Sequence, residues 1–139
     1  MLLSGLPEHV GDYEDLARFL TQSNQFSTCR VKPSAFLPNP KHRNTSVFRV
    51  GADAARLSNT WNQNNPGGRP LRGAALCQAR HIRTAGLEVI ASEPPPTHAN
   101  IEGWPWLEND ADLQKAQQLE RANQIAAEST VVALTGAER

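Results

Sequence analysis

Residues 73–91 read GAALCQARHIRTAGLEVIA, and how this stretch is parsed decides the fold. Gly73 to Cys77 is apolar enough for a buried strand, and Gln78 to Ala85 fits a short helix. Gly86 supplies the left-handed conformation that ends the helix, and Leu87 to Ala91 reads as another strand. Strand, helix and strand in this order suggest a parallel crossover, yet the segment is short for a right-handed one. The parallel alternative rests on this stretch alone. The expected architecture is therefore one α+β domain, with a small, mostly antiparallel sheet flanked by helices and a long C-terminal helix.

The chain on either side fits that expectation. Tyr13, Leu16, Ala17, Phe19 and Leu20 fall at helical spacing with acids nearby, predicting an acidic N-terminal helix over 12–22. Residues 29–32 are β-like and end at Pro33. Thr45 to Val50 reads as a strand with Ser46, Phe48 and Val50 on one face and Thr45, Val47 and Arg49 on the other. A second helix is expected over 53–63, with Asp53 at its N-cap, followed by an aperiodic loop over 62–70. Pro94 to Pro96 predicts a stiff polyproline II connector. It leads into an extended segment, 97–101, with His98 and Asn100 on one face and Ala99 and Ile101 turned inward. Trp104 and Trp106 then pin the start of a helix running from about 110 to 129. Asn109 is its expected N-cap, and its apolar stripe comprises Leu113, Ala116, Leu119, Ala122 and Ile125 or Ala126.

Composition narrows the class. The 139 residues are 39% hydrophobic, enough for one core but not for two. There is no apolar run long enough to span a bilayer and no signal-peptide pattern at the N-terminus, so a cytoplasmic protein without a membrane partner is expected. Cys29 and Cys77 lie far apart without a C-x-x-C, which suggests neither a disulfide framework nor a zinc site. Both are read as small buried residues.

The zero net charge conceals a segregation along the sequence. Residues 30–83 hold ten Lys and Arg against Asp53 alone, whereas both flanks are net acidic. An arginine-rich block suits bidentate recognition of phosphate or carboxylate. The candidate anion-binding residues are Arg30, Lys32, Lys41, Arg43, Arg49, Arg69 and Arg72, with Trp61 and the 62–70 loop available for stacking. The alternative is that the acidic C-terminal segment folds back and neutralises the basic middle within one chain.

Phosphate-loop, dinucleotide, zinc-protease and nucleophile-elbow motifs are all missing, so no cofactor is expected. His9, His42, His81 and His98 lack metal-ligand spacing, so no metal is expected either. The side chains suited to catalysis are His98, as a general acid or base in a rigid place, and Ser46, as a hydroxyl, beside the Arg30, Lys32 and Arg49 cations. An architectural role for His98, with its ring nitrogens committed to backbone or Glu102 partners, is the preferred reading.

Four stretches together resemble a known group. They are Arg30-Val31-Lys32-Pro33-Ser34-Ala35-Phe36, Thr45-Ser46-Val47-Phe48-Arg49, Ala85-Gly86-Leu87-Glu88-Val89 and Pro96-Thr97-His98-Ala99-Asn100-Ile101. In this order they are similar to a group of short uncharacterised bacterial proteins often encoded beside mobile-element or defence genes. The resemblance covers roughly residues 26–125. It implies a bacterial cytosolic origin and contact with nucleic acid, nucleotides or another conflict-system protein.

Three functional readings follow. The first is a binding module for an anionic partner, nucleic acid or a phosphate-bearing nucleotide, through the Arg-rich face. The second is a small nucleotide- or RNA-processing enzyme using Arg30, Ser46, Arg49 and His98. Arginine, serine and histidine on successive strands are loosely similar to compact ADP-ribosyltransferase and RNA-phosphotransferase folds. The third is a protein-interaction or self-association role for helix 110–129.

Overall fold

A computed structural model describes residues 2–27 and 30–134. Six strands form one sheet: β1 (Asp15–Leu20), β4 (Thr45–Phe48), β5 (Gly73–Gln78), β6 (Glu88–Ala91), β7 (His98–Glu102) and β8 (Thr130–Ala133). Two short strands, β2 (Phe26–Ser27) and β3 (Arg30–Val31), pair separately. The helices are α1 (Ala54–Asn64), α2 (Ala79–Thr84) and α3 (Ala111–Ala127). The sheet order is β6-β7-β4-β1-β5-β8, and every neighbouring pair is antiparallel.

Residues 73–91 do form strand, helix and strand, but β5 and β6 are not partners. They are separated by β1, β4 and β7, and α2 carries the chain across the sheet rather than back alongside its own strand. The mostly antiparallel α+β architecture expected from the sequence is the one observed.

Side-chain alternation gives the sheet two buried faces. Leu16, Leu20, Val47, Ala75, Val89, Ala99 and Ile101 form one core with Phe36, Ile82, Leu87, Trp104 and Ile125, so α2 and α3 lie on this side. Ala17, Phe48, Ala74 and Leu76 form a second, smaller core with Val50, Leu57 and Leu134, which puts α1 on the other side. Thr45 faces the first core and is fully buried, its hydroxyl donating to the Phe36 carbonyl at 2.7 Å. That bond ties the 33–37 turn to the sheet and removes the penalty of an unpartnered buried hydroxyl.

Four expectations are corrected. The helix expected over 12–22 is the central strand β1. Its apolar positions do not alternate because Leu16 and Leu20 enter one core while Ala17 and Phe19 pack on the other. The Pro94–Pro96 segment is a reversal rather than an extended polyproline connector, since β6 and β7 are antiparallel neighbours and the chain must double back between them. The Glu93–Pro94 and Pro94–Pro95 peptides are cis. The turn is closed by Ser92 N–H to the His98 carbonyl at 2.9 Å and His98 N–H to the Pro95 carbonyl at 3.1 Å. In α3 the buried face comprises Gln118, Ala122, Ile125 and Ala126, while Leu113 and Leu119 are 46% and 45% exposed. The α3 N-cap is Asp110, one position beyond Asn109, and its carboxylate accepts from Leu113 N–H at 2.9 Å.

Cys77 lies at the end of β5 within the first core, while Cys29 lies outside the described residues. Burial pushes the Cys77 thiol up to about 11, because the thiolate is poorly solvated there. In a Cys29→Ser variant, alkylation of native Cys77 by iodoacetamide near neutral pH is expected to be slow and to speed up sharply in denaturant. Rapid alkylation of the native protein, followed by mass spectrometry, would show the thiol to be open.

Candidate functional site

The centre of the sheet contains a gap. β1 and β4 are neighbours, but their ladder holds a single register pair, Ala17 opposite Phe48. Beyond it Arg18 replaces the missing backbone bonds. Its Nη1 donates to the Ser46 carbonyl at 3.0 Å and its Nε to the Ala35 carbonyl at 2.9 Å. The guanidinium thus fills the space between the splayed strands and satisfies a carbonyl that a regular ladder would have paired. Burial lowers the Arg18 pKa from its ordinary value, although a guanidinium remains charged at neutral pH. Among the described residues no carboxylate pairs with it.

Ser46 and His98 meet above this gap. The β4–β7 register sets Ser46 opposite Asn100 and Phe48 opposite His98, so Ser46 and His98 are diagonal neighbours on one face. The Ser46 hydroxyl lies 2.6 Å from His98 Nε2, and His98 Nδ1 lies 2.8 Å from the Ser92 carbonyl. A carbonyl can only accept, so Nδ1 carries the proton in the neutral ring. Nε2 then presents its lone pair to the serine O–H. The ring also packs edge-on against Phe48 at 5.2 Å between centroids, which fixes its plane.

A two-lobed cleft opens around Arg18, Ser46 and His98, which line both lobes. The polar lobe, of about 440 Å³, is walled by Asn39, His42, Asn44 and Asn100. Its loop is held by the Asn39 side chain, which accepts from the N–H groups of Lys41 and His42 at 2.8 and 3.2 Å. The second lobe, of about 450 Å³, has an aromatic wall of Phe19, Phe48 and Trp61, with Gln22, Gln25, Asn64 and Asn65 at its rim. Phe19 stacks on Phe48 at 5.1 Å and meets Trp61 edge-on at 5.7 Å. Trp61 is steadied by donating from its indole nitrogen to the Arg69 carbonyl at 2.9 Å.

The candidate anion-binding residues do not converge. Arg49 is buried, forms a bidentate pair with Glu14 at 2.8 and 2.9 Å and donates to the Pro7 carbonyl. Arg43 lies over the Trp106 ring, 4.7 Å from its centroid. Lys41 is exposed on the 39–44 loop near the polar lobe. Arg30 and Lys32 are exposed at and just after β3, and Arg30 borders a groove beside the end of α3. Arg69 and Arg72 are exposed on the segment between α1 and β5. Part of the basic block is neutralised internally. Glu14 engages Arg49, while Asp12 and Glu88 both engage Arg83. The partners come from the N-terminal flank and from β6 rather than from α3.

Among the described residues no cluster of His, Cys, Asp or Glu could hold a metal ion, and no helix is long and apolar enough to cross a membrane. Compared with models of protein families, with curated proteins and with solved structures, the chain matches none.

Proposed function

We propose that the cleft binds a phosphate-bearing nucleotide, with the base against the Phe19–Phe48–Trp61 wall and the phosphate in the polar lobe. The observation that carries this reading is Arg18, a half-buried cation lining the cleft with two backbone carbonyls for partners and, among the described residues, no carboxylate beside it. Desolvating a charge without a counter-ion is costly, and such sites concentrate where a ligand supplies the missing charge. Its Nη2 has no acceptor among the described residues and remains available for an anion. The side-chain amides of Asn39, Asn44 and Asn100 add neutral donors, and the aromatic wall accepts any base through its π-face. The anion-binding function expected from the Arg-rich block is thus assigned to this cleft instead of to a basic surface.

Titrating the protein with mononucleotides at low salt is expected to quench tryptophan fluorescence, and the quench should disappear in Trp61→Leu. Arg18→Gln is expected to weaken binding about tenfold or more, the scale of one charge-assisted hydrogen bond. Circular dichroism separates that loss from unfolding. Nucleotides that do not bind at low salt, or bind Arg18→Gln as well as the wild type, would overturn the reading. Single-stranded RNA binding with mononucleotides excluded would replace it with a nucleic-acid interface.

A further inference from the structure

We infer that Ser46 is a nucleophile activated by His98 as general base, and that the cleft cleaves a phosphate ester. This deepens the nucleotide reading and rests on it for the substrate class, but the reactivity of Ser46 does not depend on it. The geometry contains the three parts that activation of a serine requires: a hydroxyl, a base within hydrogen-bond reach and a group that orients the base. The hydroxyl and base are 2.6 Å apart, and the orienting group is the Ser92 carbonyl at 2.8 Å from Nδ1. The carbonyl fixes the tautomer in which Nε2 accepts the serine proton.

The surroundings hold these groups in place and leave them accessible. His98 lies at the start of β7, where its backbone is bonded to Ser92 and Pro95, and the preceding Thr97 carbonyl accepts from Arg49 N–H at 2.9 Å. The next residue, Ala99, is fully buried, so the strand cannot rotate His98 away without exposing its core. Ser46 and His98 are both half-buried and line both lobes, so a bound ester can approach Oγ from the polar side. Arg18 Nη1 bonds the Ser46 carbonyl at 3.0 Å, placing a positive charge beside the nucleophile's own backbone. A developing phosphorane charge would find that cation already in position.

The chemistry balances with water as the second reactant. Ser46 Oγ forms a bond to phosphorus while its proton passes to His98 Nε2. The ester P–O bond breaks, its electron pair stays on the leaving oxygen, and that oxygen takes the proton from Nε2. Water then gives a proton to Nε2 and attacks phosphorus, the Oγ–P bond breaks, and the proton returns to Oγ. A neutral carbonyl stabilises the imidazolium less than the carboxylate of a serine–histidine–aspartate triad does, so a modest nucleophile is expected.

The test uses the full chain and an uncharged alkyl fluorophosphonate, whose phosphorus reports nucleophilicity without any nucleotide recognition. Intact-mass and peptide mass spectrometry are expected to show one phosphonyl adduct on Ser46, formed as fluoride leaves. Ser46→Ala should take no adduct. His98→Ala should label about 100-fold more slowly or worse, the scale of a general base, and added imidazole should restore part of the rate. His98→Gln serves if His98→Ala does not fold. No adduct on the folded wild type, an adduct on another residue, or wild-type labelling without His98 would each overturn the inference. Nucleotide binding without labelling would overturn the nucleophile alone, and labelling without nucleotide binding would overturn the nucleotide reading alone.

Discussion

Replacing Glu14 by Ala is expected to destabilise the protein by about 3–5 kcal/mol at neutral pH, the cost of leaving a buried charge without its partner. The charge is Arg49, just after β4, whose side chain is 1% exposed and whose carboxylate partner Glu14 lies just before the neighbouring β1. Every donor nitrogen of that guanidinium has a partner, Nε and Nη2 on Glu14 and Nη1 on the Pro7 carbonyl, so nothing else can take over when Glu14 is lost. Urea unfolding followed by circular dichroism measures the loss. A companion double variant, Glu14→Leu with Arg49→Met, is expected to recover much of it, because an apolar pair of similar volume avoids desolvating either ion. A single variant within about 1 kcal/mol of wild type would show the pair to be dispensable.

The same pair gives a pH dependence with a definite sign. Burial works to raise the Glu14 carboxyl, but hydrogen bonds from Arg49 and from Gly11 N–H outweigh it and hold the group below the ordinary carboxylate range. A carboxyl depressed in the folded state contributes stability above its unfolded pKa of about 4.3, and that contribution is lost as the pH falls through the folded value. Wild type should therefore lose more stability than Glu14→Ala between about pH 5 and about pH 3. Glu88 and Glu93 are also depressed, Glu88 chiefly by Val89 N–H and Glu93 by bonds from Ser4 and Thr97 that outweigh desolvation. Their acid response is common to both proteins, so the difference between the two curves isolates Glu14.

What could be read from the sequence follows from which elements have one buried face. β4, β7 and α1 show their faces in sequence, and the sides occupied by Ser46, Phe48, His98 and Asn100 were legible there. β1 was not, because a central strand buried on both sides loses its period of two, and Leu16, Ala17, Phe19 and Leu20 then fit a helical template equally well. That misreading concealed Arg18, whose signal is a lone cation inside an apolar run. The meeting of Ser46 with His98 was hidden for another reason. It depends on the register that puts Ser46 opposite Asn100, and register is set by long-range pairing rather than by either strand. Charge segregation misled similarly. Arg49 is the most buried of the basic candidates, and its acidic partner comes from the N-terminal flank rather than the C-terminal one.

α3 gives the other large effect, through two apolar positions six residues apart. Ile125→Ala is expected to cost about 2–5 kcal/mol, while Leu119→Ala should stay within about 1 kcal/mol of wild type. The apolar spacing read from the sequence puts both in one stripe, but the helix meets the core along a different line. Ile125 is fully buried beside Ala122 and Ala126, whereas Leu119 is 45% exposed. Further toward the N-terminus the buried position is Gln118, whose amide donates to the Pro105 carbonyl at 2.8 Å and so ties the helix to the segment after β7. Truncating Ile125 removes fully buried atoms from the first core and leaves a cavity that the neighbouring alanines are too small to fill. Truncating Leu119 removes surface that water already reaches. Leu119→Asp extends the test, since a charge at an exposed position should leave folding intact by circular dichroism. If the outward leucines bind a second copy of this chain, sedimentation should show the wild-type dimer lost in Leu119→Asp. If both proteins sediment as monomers, self-association through this face is excluded. A Leu119→Asp variant that unfolds would instead return Leu119 to the core and overturn the placement of α3.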